Sequence, residues 1–174
     1  MEKLIDDYEL ELCEVDCVPG APLYSAKAHI PGDVSEVMPY LNSVLDRAFY
    51  SGDNEFIVWK NRERKFVLRP HELAASLIMD RPEARRVIGE AVTWINDIWD
   101  RRGGMTPDHE KRIPPQPLEV LKHLPGSNCA SCGLATCMAF AFELIEGNKR
   151  LDDCPGLLEE ENYGAREKLE VLGL

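Results

Sequence analysis

The sequence predicts an α+β protein in two parts. The first is a four-stranded, mainly antiparallel sheet with helices on one face. The second is a small, mainly helical C-terminal domain. Three observations carry this reading: β-prone runs come in pairs around turn residues, apolar stripes recur at helical spacing, and a Gly-, Pro- and charge-rich stretch separates both from a cysteine-rich end. The 174 residues are 44% hydrophobic and 29% charged, which suits one globular core or two small ones.

The first strand is read around Leu10, Leu12 and Val15, which interleave with acidic residues. Pro19-Gly20-Ala21-Pro22 makes a turn, and Leu23 to Ile30 forms the second strand. Cys13 and Cys17 are four apart, on one side of a regular strand, with α-carbons about 13 Å apart. That is too far for an intramolecular disulfide, so packing is their expected role, with redox or subunit contact as the alternative. Pro31-Gly32 ends the pair. Asp33 with Glu36 resembles a capping box for a helix with the stripe Val34, Val37, Met38, Leu41, Val44, Leu45 and Ala48. Pro39 demands a kink there or a later start. Phe56 to Trp59 and Phe66 to Leu68 read as a hairpin around Asn61-Arg62-Glu63-Arg64. Leu73 to Ile78 reads as a short helix. Asp80-Arg81-Pro82-Glu83 starts a longer one, with an apolar face from Val87 to Trp99, stopped by Arg101-Arg102-Gly103-Gly104. The boundary falls between Gly103 and Pro117, giving domains over 1–112 and 117–174.

The composition narrows the function. Thirty-one acidic against 20 basic side chains leave a net charge of −11, which repels a phosphate backbone and argues against a nucleic-acid partner. No apolar run approaches the roughly 20 residues that cross a bilayer. Met1 to Asp7 lacks the pattern of a secretion signal, so the expectation is a cytoplasmic protein without membrane insertion.

Four of the six cysteines, Cys129, Cys132, Cys137 and Cys154, fall in one short region, with gaps of two, four and sixteen residues. Three close thiolates on a turning loop can hold three corners of an iron–sulfur cubane, and a distant fourth can close it. Gly133 lets the backbone wrap closely. Met138 to Glu146 reads as a helix ended by Gly147-Asn148. Its N-terminal dipole suits an anionic cluster, and the stretch back to Cys154 is long enough to return. Zinc is the rival, but four-cysteine zinc sites usually come as two close pairs. Unligated structural cysteines are the third reading.

The run Leu124-Pro125-Gly126-Ser127-Asn128-Cys129 through Cys137-Met138-Ala139-Phe140-Ala141, closed by Cys154-Pro155, resembles the small [4Fe-4S] domain of the corrinoid iron–sulfur protein large subunit. It is also similar to the corresponding domain of Rnf-type B subunits in membrane-associated electron-transport complexes. The resemblance implies that Cys129, Cys132, Cys137 and Cys154 bind one [4Fe-4S] cluster, with Pro117 to Pro125 as the lead-in helix. It covers the last third of the chain and says nothing of the N-terminal domain.

Four thiolate ligands leave the irons no open protein-ligand position, which favours electron transfer with a redox partner protein over chemistry at iron. The partner is corrinoid-related by resemblance only. A redox-sensing or structural interaction module is the alternative, followed by an enzyme that uses the N-terminal domain for substrate. No catalytic residues are identified. His29, His71, His109 and His123 are dispersed, and there is no dinucleotide fingerprint, phosphate loop or nucleophile triad. His123 is read as a helix-surface residue, with cluster tuning as the alternative. Trp59, Trp94 and Trp99 are read as core, with a ligand pocket as the alternative. Arg81, Arg85, Arg86, Arg101, Arg102, Lys111 and Arg112 are read as a solvated face and linker, with an acidic partner as the alternative. Glu159-Glu160-Glu161 is expected to be solvated and to favour a low potential.

Overall fold

The computed structural model describes residues 3–14 and 24–174, which divide into two compact units, Met1–Ile113 and Pro114–Leu174. The sheet of the first unit is wider than the sequence suggests. Its strands β1 (Glu9–Glu14), β2 (Tyr24–His29), β3 (Ala48–Ser51), β4 (Phe56–Asn61), β5 (Arg64–Arg69) and β6 (Glu72–Ile78) lie in the order β1-β2-β6-β5-β4-β3. Every neighbouring pair is antiparallel. The expected four-stranded sheet is therefore corrected to six strands. The Pro19–Pro22 turn and Cys17 lie outside the described residues.

Both added strands have a physical reason for escaping notice. The run Leu73 to Ile78 is rich in leucine and alanine, which favour helix in isolation. In place it forms β6, between β2 and β5, with Leu73, Ala75 and Ile78 buried. The period of two breaks at Leu77, whose φ is 56°, so Ile78 also faces inward. Strand β3 is four residues long, and Ala48 sits four after Val44, at helical spacing.

The register places two apolar rows on one face. Leu12, Ala26, Ala75, Phe66, Trp59 and Ala48 form one; Leu10, Ala28, Leu73, Leu68, Ile57 and Tyr50 form the other. Helix α1 (Met38–Val44) packs near β3 and β4, and α2 (Arg81–Arg101) over β6, β2 and β1. Small side chains at Ala26, Ala28 and Ala75, all essentially buried, leave room for α2 to seat closely. Asp80 caps α2 by accepting from the Glu83 amide at 2.7 Å, with Pro82 in the first turn. Pro39 likewise falls in the first turn of α1, after a 3-10 turn at Ser35–Val37, so the helix starts later than Asp33 and needs no kink. Asp33 accepts from the Ser35 amide instead of forming the expected capping box.

Residues 105–113, within the stretch read as a linker, are strapped back onto the first unit. Tyr50 and Arg112 exchange both backbone hydrogen bonds at 2.8 and 2.9 Å. Buried Asn42 donates to the Asp108 and Glu110 carbonyls at 3.0 and 3.1 Å. This strap covers part of the free edge of β3.

In the second unit, α3 (Pro117–Leu121), α4 (Cys137–Ile145) and α5 (Tyr163–Val171) surround a core of Val120, Phe140, Ala141, Leu144, Leu157 and Leu169. Gly147, at φ 73°, follows α4 as expected. Helix α5 carries only Leu169 fully inward, so its weak apolar stripe gave no sequence signal.

Truncating Asn42 should release the strap. Asn42→Ala is expected to lower the stability of the first unit by about 1–3 kcal/mol in denaturant titration. It should also speed hydrogen exchange at the Tyr50 and Arg112 amides; unchanged exchange there would show that the strap holds without it.

Candidate metal centre

All four C-terminal cysteines line one recess in the second unit. It is shallow, with a cavity volume of about 20 Å³. Cys129 and Cys132 come from the loop before α4, Cys137 is the first residue of α4, and Cys154 separates two 3-10 turns, Leu151–Asp153 and Pro155–Leu158. Leu124, Leu134 and Phe140 supply apolar wall. Cys129 is exposed, Cys132 and Cys137 are half-buried, and Cys154 is buried.

The loop reaches this arrangement by repeated left-handed residues: Gly126 (φ 72°), Asn128 (48°), Ala130 (57°) and Gly133 (82°). Alternation of this kind turns successive backbone N–H groups inward and makes anion-binding concavities. Asn128 earns its position twice, because it tolerates the left-handed region and its Oδ1 accepts from the Cys137 amide at 2.8 Å. Thr136 caps α4 by accepting from the Ala139 amide at 3.1 Å. On the far side Gly156 is required by close approach: a Cβ there would stand 2.9 Å from Pro125 Cγ.

The thiols differ electrostatically. The Ser131 hydroxyl and amide, with the Ser127 hydroxyl, donate to Cys129 and bring its pKa down to about 7. Burial pushes the Cys154 thiol up, offset in part by the Leu157 and Gly156 amides. Lys149 Nζ donates to the Cys132 carbonyl at 3.1 Å and brings a positive charge beside the loop. Ser127, Ser131, Asn128 and Lys149 were not singled out from the sequence. Only the Ser-x-Cys and Cys-x-Ser neighbours of Cys129 carried a local signal. Among the described residues no group of three or more His, Cys, Asp or Glu side chains is arranged to hold a metal ion.

The remaining candidates lie elsewhere. Cys13 is half-buried in β1, opposite Ser25. His29 bonds Glu11 at 2.8 Å, His71 contacts the Gly32 carbonyl at 3.1 Å, and His123 is not among the residues lining the recess. Trp99 packs edge-on to Tyr40 beneath the Arg102 guanidinium, whereas Trp59 and Trp94 pack together at 5.8 Å. Glu160 and Glu161 are exposed, and no helix among the described residues is long and apolar enough to cross a membrane.

Residues 124–155, which contain all four of these cysteines, match the family described as "Putative Fe-S cluster". The chain is 48% identical over 50 residues to the acetyl-CoA decarbonylase/synthase complex subunit gamma of Methanosarcina acetivorans, covering 29% of this chain and 11% of that protein. It is 49% identical over 55 residues to the Methanothermobacter thermautotrophicus subunit gamma, covering 32% and 11%. It is 43% identical over 59 residues to the corrinoid/iron-sulfur protein large subunit of Moorella thermoacetica, covering 34% and 12%. The chain thus carries an Fe–S-family domain at its C-terminal end and spans about a tenth of the length of these relatives. No solved structure matches the chain significantly.

In metal-free protein the four thiols should react in an order set by exposure and pKa. Cys129 should be alkylated first, its rate rising as pH climbs through about 7, because only the thiolate attacks. Cys154, buried and raised, should react last. Ser131→Ala should move the Cys129 profile to higher pH; mass-spectrometric mapping of labelled peptides reads both effects.

Proposed function

We propose that the C-terminal unit, read as a domain over 117–174, holds one [4Fe-4S] cluster on Cys129, Cys132, Cys137 and Cys154. We further propose that the protein exchanges electrons with a protein partner in the cytoplasm. The observation that carries this reading is the sharing of one recess by four thiols from separate loops, inside the segment matching the iron–sulfur family. The donor set fits. A lone zinc ion needs its four thiolates to converge at about 2.3 Å from one point. A cubane instead gives each thiolate its own iron at a separate corner, so four thiols that border one recess can serve it without converging on one point.

When bound, the cluster supplies a one-electron redox couple. The chain's own residues hold and tune it. Asn128 and Thr136 fix the loop against the start of α4. Phe140, Leu124 and Leu134 limit water on the inner side, while the positive end of the α4 dipole favours negative charge. Lys149 favours the extra electron, and the exposed acidic run 159–161 opposes it. The net charge of −11 disfavours nucleic acid as a partner. The names of the related proteins make a corrinoid-dependent protein the first partner to assay. Residues 1–112 would then supply docking specificity.

The thin core of the second unit favours one other reading, a cluster whose role is structural. Anaerobically prepared protein should contain about four iron and four sulfide per chain. Alanine at any of the four cysteines should lower both, while alanine at Cys13 should not. In the variant lacking all four, hydrogen exchange should rise mainly after Pro117. Stoichiometric zinc with no iron would refute the cluster assignment.

Function is tested separately. The holo protein should show reversible one-electron reduction and reduce, or be reduced by, its partner. The cluster-free variant should not. Partner activation that survives cluster removal would leave the structural reading in place.

A further inference from the structure

The six-stranded sheet is wider than its two helices. Helix α1 lies near β3 and β4, and α2 lies over β6, β2 and β1. Beside α2, above the β4–β5 hairpin end, a recess of about 650 Å³ remains, within the range of pockets that take small organic ligands. All of its lining belongs to the first unit.

Two chemistries meet there. Trp59, Phe66 and Trp94 form an aromatic wall: the first two stack at 5.3 Å with an interplanar angle of 10°, and Trp94 leans on Trp59 at 46°. Trp59 and Phe66 are buried, while Trp94 is half-buried and keeps part of its ring at the recess. Arg62, Arg64 and Arg86 line the same recess, with Lys60 alongside. Arg64 is held by Glu83, and Arg86 by Glu83 and Glu90. Glu90 also lines the recess, so its cations outnumber its carboxylates. Arg62, exposed at the hairpin turn, enters none of the ion pairs found among the described residues. A cationic recess in a chain of net charge −11 runs against the average field and selects for an anion. The rings select for a flat partner, and guanidinium groups stack on or bond to both parts.

We propose that this recess binds a flat, conjugated small molecule of mononucleotide size carrying an anionic group, with its ring against Trp94 and its anion at Arg62. The site is independent of the cluster reading, because none of its residues lies in the second unit.

The test titrates the full chain with FMN and with AMP, using riboflavin, adenosine and inorganic phosphate as the corresponding half-ligands. Tryptophan fluorescence and calorimetry give the dissociation constants. At least one nucleotide should bind saturably, about tenfold or more tighter than either half-ligand. Arg62→Asn removes the charge but keeps a residue that tolerates the turn's φ of 55°, and should weaken binding about tenfold. Trp94→Leu should weaken it similarly; if that variant misfolds, Arg62→Asn decides alone. The proposal is overturned if neither nucleotide saturates at millimolar concentration, if phosphate binds as tightly as the nucleotides, or if Arg62→Asn leaves the affinity unchanged.

Discussion

Three cysteines separated by only two and four residues border one recess because the loop carrying them enters the left-handed region at Gly126, Asn128, Ala130 and Gly133. For glycine this conformation carries little steric cost. For Ala130 it costs roughly 1–2 kcal/mol, and such a residue persists only when its surroundings over-determine it. Two bonds do part of that work: Gly133 donates to the Ala130 carbonyl at 2.9 Å, and Cys137 donates to Asn128. The rest of the unit is arranged to keep the loop in place. Thr136 starts α4 where the loop ends, Phe140 on that helix closes the inner wall, and the turns around Cys154 bring the fourth thiol to it. A unit with so few buried side chains has little apolar surface to offset that strain. A group bound by the four thiols would add what the core lacks.

The first unit solves a different problem. A broad antiparallel sheet must cover one apolar face with helices that are too few for it. Alanines at 26, 28 and 75 let α2 lie low over one half, and the 105–113 strap supports α1 and the β3 edge on the other. Beneath α2, over the β4–β5 hairpin, the large rings of Trp59, Phe66 and Trp94 pack together. The same shortage of helical cover creates the aromatic wall and the recess beside it.

How much of this could be read from the sequence depended on whether a local signal agreed with its tertiary setting. The Asp80–Pro82 start of α2 and the Phe56–Leu68 hairpin were legible, since capping chemistry and alternation act within a few residues. Strand β6 was not. Its Leu-Ala-Ala-Ser-Leu run prefers helix in isolation, and only pairing with β2 and β5 on either side makes it a strand. Strand β3 was hidden by Ala48, which fits the preceding helical stripe, and the strap was hidden by its linker-like composition. At the candidate site the four cysteines stood out by spacing, because ligation imposes a pattern on sequence. Asn128, Ser131 and Lys149 did not, because they act through one hydrogen bond each, and a single polar residue in a loop has many ordinary explanations.

The recess is also asymmetric, and on the proposed reading that asymmetry has a consequence. Its inner side is Phe140, Leu124 and buried Cys154, where burial penalises negative charge and protein surrounds the thiol. Its outer side is exposed Cys129 between two serines, whose hydroxyls already stabilise a thiolate. A group held between them would be dry on the Cys154 side and within reach of the surface on the Cys129 side. Electron exchange with a partner would favour the path with the least intervening protein, and Cys129 is the most exposed of the four thiols. The exposed serines there also leave that edge free of bulky side chains, so a partner can approach closely. The strained, polar loop and the apolar helix wall would therefore divide the work on that reading: one side would retain a bound group, and the other would present it.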